Sequence, residues 1–73
     1  MRLRVSDPEL VQELIEFLRL RLDVVANQIT ENELDLALLG SYSEDAMRME
    51  LYLRVRAWEA RQRASGVEVE FVD

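Results

Sequence analysis

The hydrophobic period changes several times along the chain, and each change predicts an element. Arg2-Leu3-Arg4-Val5 alternates charged and apolar residues, the period-two signature of a short half-buried strand. Ser6-Asp7-Pro8-Glu9 follows as a helix start. Ser6 is the expected cap, Glu9 reaches back to it as in a capping box, and Pro8 sits in the first turn, where its missing N–H is harmless. Val5 and Leu10 flank that cap at hydrophobic-staple positions. Leu10, Val11, Leu14, Ile15, Leu18 and Leu22 then recur at helical spacing on one broad face, with Glu9, Glu13 and Glu16 on the wet side. The helix is expected to end between Leu20 and Leu22, where Arg19-Leu20-Arg21-Leu22-Asp23-Val24 turns to period two without a glycine or proline.

Residues 23–30 carry the β-branched Val24, Val25, Ile29 and Thr30 and predict a second strand. Glu31-Asn32 is the expected two-residue hairpin turn, Asn32 tolerating positive φ. Residues 33–39 alternate again, with Leu34, Leu36 and Leu38 inward and Glu33, Asp35 and Ala37 outward, until Gly40-Ser41 breaks the pattern. Ser43 is placed to cap a second helix, and Glu44 and Asp45 complement its N-terminal dipole. Arg61 and Arg63 lie near its other end, with Gly66 just beyond. Val67, Val69 and Phe71 alternate with Glu68 and Glu70 as a last strand.

The order β-α-β-β-α-β over residues 1–73 makes one α+β domain. Right-handed crossovers and one apolar face per strand select a four-stranded antiparallel sheet in the order 4-1-3-2 with both helices on one face, the split-βαβ or ferredoxin-like arrangement. The charges support it independently. With strand 1 between strands 4 and 3, Arg2 and Arg4 face Glu68 and Glu70 on one side and Glu33 and Asp35 on the other.

Composition then closes chemistries. The 73 residues are 49% hydrophobic and 33% charged, too apolar for a disordered tail. No apolar run approaches the roughly 18 residues of a spanning helix, and the N-terminus lacks the apolar core of a signal peptide, so a soluble cytoplasmic protein is expected without a membrane partner. Cysteine and histidine are absent, which removes disulfides, thiolate nucleophiles, imidazole bases and His/Cys metal sites. All nine basic residues are arginine, so no lysine is available for a Schiff base or a P-loop. A net charge of −6 and a pI near 4.6 oppose binding to nucleic acid, whose affinity comes mainly from neutralised phosphates. RNA-binding domains of this topology stack bases on aromatics of the two central strands, where this chain has Arg2, Arg4, Glu33 and Asp35.

The acidic pairs Glu44/Asp45, Glu31/Glu33/Asp35 and Glu68/Glu70 lack the loop spacing and glycine of a cation site and have structural roles already, at a helix start or on alternating strand faces. No catalytic, cofactor or metal residue is therefore assigned. Arg48, Arg54, Arg56, Arg61 and Arg63 are scattered around the second helix and read as solvated or salt-bridged, Glu50 and Arg54 being a favourable i,i+4 pair.

The second helix is the informative element. Its apolar residues form two nearly opposed stripes, Met47/Leu51/Val55/Trp58 and Ala46/Met49/Leu53/Ala57/Ala60/Ala64, separated by charges. The first is the expected core stripe, although exchanging the two leaves the consequence unchanged: one sheet covers only one of them. Residues 43–65 would span roughly 33 Å as a helix, against about 17–23 Å for the strands, so an overhang of a turn or two is expected. A core this small rarely supplies more than about 3–5 kcal/mol, and without disulfide or metal the remaining staple is self-association. A homodimer built across this helix is expected, with Met49, Leu53, Ala57, Ala60 and Ala64 at the interface. Tyr42 and Tyr52 receive no role.

Arg-Leu-Arg-Val-Ser-Asp-Pro-Glu-Leu-Val at the N-terminus, Phe17-Leu18-Arg19, and Met47-Arg48-Met49-Glu50-Leu51-Tyr52-Leu53-Arg54 resemble small ferredoxin-like proteins of high-GC, actinobacterial-type bacteria. The resemblance covers most of the chain, implies the same fold and brings no activity. Other proteins of this topology are set apart by the loop after strand 1. Metal-chaperone domains have Cys-x-x-Cys there, regulatory amino-acid-binding (ACT) domains a glycine, and acylphosphatase-like enzymes a Gly/Arg-bearing phosphate cradle; this chain has Ser6-Asp7-Pro8. The expectation is a non-enzymatic protein-interaction or regulatory module acting as a homodimer, with room for a further protein partner. The alternative is an ACT-like sensor holding a small metabolite at the dimer interface. An enzyme comes third, with only carboxylates, Arg, Ser and Tyr to work with.

Overall fold

Four alternating segments and two amphipathic ones reach the arrangement the pattern predicts. A computed structural model, describing residues 1–40 and 43–72, contains β1 (Arg2–Val5), α1 (Val11–Arg19), β2 (Val24–Gln28), β3 (Glu33–Leu38), α2 (Glu44–Arg61) and β4 (Val69–Phe71). Short 3-10 turns, Pro8–Leu10 and Arg63–Ser65, lead into α1 and out of α2. The strands form one open sheet in the order β2-β3-β1-β4, all neighbours antiparallel. This is the ferredoxin-like α+β fold.

The inward strand residues Leu3, Val5, Val24, Ala26, Leu34, Leu36, Leu38 and Val69 are buried in a single cluster with Val11, Leu14, Ile15 and Leu18 of α1 and Leu51, Val55 and Trp58 of α2. Met47 packs against its margin. The stripe headed by Trp58 thus faces the sheet, as expected.

The register tests the charge layout. Arg4 lies opposite Glu33 of β3 and Glu70 of β4, and its guanidinium reaches both carboxylates, at 3.4 and 3.7 Å. Arg2 lies opposite Asp35, which also takes the N-terminal amine of Met1 at 3.4 Å. On the β4 side the expected layout is displaced. The Val72 N–H bonds to the Arg2 carbonyl, and Glu68 lies beyond the strand, level with Ser6. Among the described residues only Arg4 has an acid on each side.

That displacement explains the helix start. The Ser6 N–H donates to the Glu68 carbonyl at 2.9 Å, and the Ser6 hydroxyl accepts the Glu68 N–H at 2.8 Å. Ser6 is used to extend the pairing with β4 and does not cap α1. Asp7 caps the 3-10 turn that leads into α1, its carboxylate accepting the Glu9 N–H at 3.0 Å, with Pro8 in that turn, and α1 itself has no side-chain cap.

Two further expectations are corrected. The α-helix ends at Arg19, one residue before the expected window, and Leu22 is 94% exposed instead of joining the core face. The Leu20 and Arg21 N–H groups bond to the Phe17 and Leu18 carbonyls and the Val24 N–H to that of Arg21. These tight reversals take Leu22 out of helical phase. The β2–β3 hairpin turns through residues 29–32 instead of Glu31-Asn32 alone: the Ile29 N–H bonds to the Glu33 carbonyl at 2.8 Å, and the Thr30 hydroxyl meets the Glu33 carboxylate at 3.1 Å. With that wider turn Asn32 needs no positive φ; among the described residues only Gly40 and Gly66 have one.

Ser43 caps α2 as predicted, its hydroxyl accepting the Ala46 N–H at 3.1 Å. Gly66 closes the exit with φ 72°. The helix proper is 18 residues, about 27 Å, so it exceeds the longest strand by about a turn. β4 begins at Val69, while Val67 is buried just before it. Ser41 of the predicted Gly40-Ser41 break, and Tyr42, lie outside the described residues.

Candidate interaction face

The second stripe of α2 is open. Met49 and Leu53 are 60% and 56% exposed, and Ala46, Ala57, Ala60 and Ala64 are exposed along the same face. All the expected interface residues therefore share one surface, with Ala64 carried by the turn after α2. None of them is covered by the chain itself. One helix cannot turn two opposed apolar stripes toward the same sheet.

The arginines beside this face are salt-bridged, one of the two roles expected for them, and the expected Glu50–Arg54 pair forms; their links to other elements were not expected. Arg54, its side chain only 13% exposed, forks onto Asp23 just before β2, Nη1 to Oδ1 at 3.2 Å and Nη2 to Oδ2 at 3.3 Å, while its Nε donates to Glu50 Oε1 at 2.9 Å. The hydrogen bond from Arg54 holds the Asp23 carboxyl below its ordinary pKa; reciprocally, Asp23 first and Glu50 next raise that of Arg54. Arg56 lies over the rings of Tyr52 and Phe71, 5.1 and 5.2 Å from their centroids, and donates to Glu59 and to the Val69 carbonyl. Tyr52, then Glu59, favours its charged form. Arg61 lies over Phe17 at 5.3 Å. The Tyr52–Arg56 and Arg56–Glu59 spacings are visible in the sequence as helical neighbours, but Phe71, Phe17 and Asp23 come from other elements and no local pattern announces them.

Next to the stripe, an apolar cleft of about 530 Å³ is lined by Met1, Asp45, Arg48, Met49, Tyr52 and Phe71. Sequence reasoning left Tyr52 without a role; here its ring packs at 5.3 Å from Phe71 and forms one wall. Among the described residues no three acidic side chains converge as cation ligands, and no helix is long and apolar enough to cross a membrane. Every buried side-chain polar atom among them has a hydrogen-bond partner.

β2 is an outer strand, and such edges invite pairing with another sheet. Here Arg19 at the end of α1 donates to the Ala26 carbonyl at 2.9 Å and occupies a backbone acceptor of that strand. What α2 presents is thus an apolar face flanked by ion-paired arginines. No family model, no curated protein and no solved structure matches the chain.

Proposed function

We propose that the protein is a non-enzymatic interaction or regulatory module that works as a homodimer through the outer face of α2. The observation that carries this reading is the exposure of Met49 and Leu53 amid alanines, on a helix whose other apolar stripe fills the core. Fully burying a Leu or Met side chain is worth about 1.5–3 kcal/mol, and the small neighbours allow two helix backbones to approach closely. The guarded edge of β2 argues against sheet-to-sheet pairing as the alternative route. A cytoplasmic setting belongs to this reading, and a net charge of −6 disfavours nucleic acid as a partner. Sedimentation equilibrium at micromolar concentration is expected to give about twice the 8.6 kDa monomer mass, and Leu53→Arg to lower it. A clean monomer at high concentration rejects the reading.

The cleft beside Met49 favours one second reading, a sensor that holds a small metabolite at the dimer interface. Its test is a thermal-shift screen: a ligand that binds only the folded state raises Tm, and a screen without any such rise removes this reading while leaving the first.

A further inference from the structure

The charges along α2 specify how the second copy would sit, an inference that rests on the dimer reading above. The N-terminal half of the helix carries Glu44, Asp45 and Glu50, whereas Arg61 ends it and Arg63 stands in the turn beyond. Glu50 and Arg61 lie about three turns apart, on one flank of the open stripe; Asp45 lies on the other flank, and Arg63 in the turn just past the helix end. A parallel pair of helices would set each acidic half against its own copy. An antiparallel pair related by a two-fold axis at Val55 brings same flank to same flank and acid to base.

We infer that two copies pack α2 against α2 antiparallel about Val55, with Glu50 facing the second copy's Arg61 and that contact repeated by symmetry. The same register matches large to small along the apolar stripe: Leu53 meets the second copy's Ala57 and Met49 its Ala60. Glu50 binds Arg54 within its own chain through Oε1, and Arg61 lies over Phe17 with its side chain at the surface.

Charge reversal tests the register. In sedimentation equilibrium Glu50→Arg and Arg61→Glu should each raise the dimer Kd at least about fivefold, and the double variant should return it to within about twofold of the starting protein, since opposite charges again meet across the interface. Circular dichroism checks that each variant is folded. Because the chain has no cysteine, Ala46→Cys carries a single spin label, and the antiparallel register puts the two copies' labelled backbone positions about 27 Å apart along the helix axes. A separation near 10 Å, the distance between packed helix axes, overturns the antiparallel register even if Leu53→Arg still dissociates the dimer, in which case the dimer reading survives alone. Absence of rescue in the double variant also overturns the register. A monomeric protein, or a dimer indifferent to Leu53→Arg, overturns both.

Discussion

Arg54 of α2 grips Asp23 at the foot of β2 through two parallel hydrogen bonds, 3.2 and 3.3 Å long. The pair joins the middle of the second helix to the turn that ends the first. Asp23 is held below its ordinary pKa chiefly by this hydrogen bond, which fixes the sign of the pH dependence. A carboxyl whose folded pKa is depressed adds stability that is fully present above its unfolded value, about 3.9, and is lost as pH falls through the folded one. Asp23→Asn should therefore lower Tm at neutral pH. The gap between the two proteins should close as the solution is acidified below pH 4. Thermal melts at pH 7, 5 and 3 check it, and a constant gap across that range contradicts the assignment.

Trp58 is the largest fully buried side chain, 2% exposed between α2 and the sheet. Trp→Ala in a core costs about 3–5 kcal/mol, comparable to everything a core of this size supplies. Trp58→Ala should therefore be largely unfolded at 25 °C, seen as loss of helical circular dichroism, whereas Trp58→Phe should retain a cooperative melt at reduced Tm.

Gly66 ends the turn after α2 in the left-handed region, φ 72°, and a Cβ built there meets nothing within 4 Å. Space is no obstacle, so the cost of a side chain is conformational alone. Gly66→Ala should destabilise by about 1 kcal/mol, and Gly66→Asn by less, because Asn tolerates this region better. Denaturant titrations of the two variants check the ranking. A neutral alanine would mean that the backbone relaxes out of the left-handed region.

The topology was legible because each strand alternates cleanly and each helix has a periodic core face; Leu34, Leu36 and Leu38 admit only one register toward the core, as do Leu14, Ile15 and Leu18. The outer stripe of α2 could be read for the same reason. Competition between neighbours was not legible. Ser6 and Asp7 are both good caps, and which one serves is decided by Glu68, distant in sequence, claiming the Ser6 hydroxyl. Leu22 fits the helical phase on paper, but the reversal before β2 carries it into solvent. The cleft escaped notice because Phe71 and Met1, from opposite ends of the chain, form its walls with Tyr52.

Glu59 holds the short edge strand β4 onto α2. Its Oε2 accepts the Val69 N–H at 2.7 Å, and both carboxylate oxygens take Arg56 Nη1 at 2.9 Å, while Arg56 donates in turn to the Val69 carbonyl at 3.1 Å. Both backbone groups of Val69 are thus satisfied by α2 side chains, and hydrogen bonds to charged partners are worth about 1.5–3 kcal/mol each. Glu59→Ala removes the acceptor of the Val69 amide and the anchor of Arg56 together. The Val69 amide should then exchange with solvent at least about tenfold faster, while Leu34, paired with Leu3 in the centre of the sheet, keeps its protection. Glu59→Gln should fall between, since the amide oxygen still accepts but carries no charge for Arg56. Amide exchange followed by NMR distinguishes local fraying of β4 from global destabilisation, which would accelerate Leu34 in proportion.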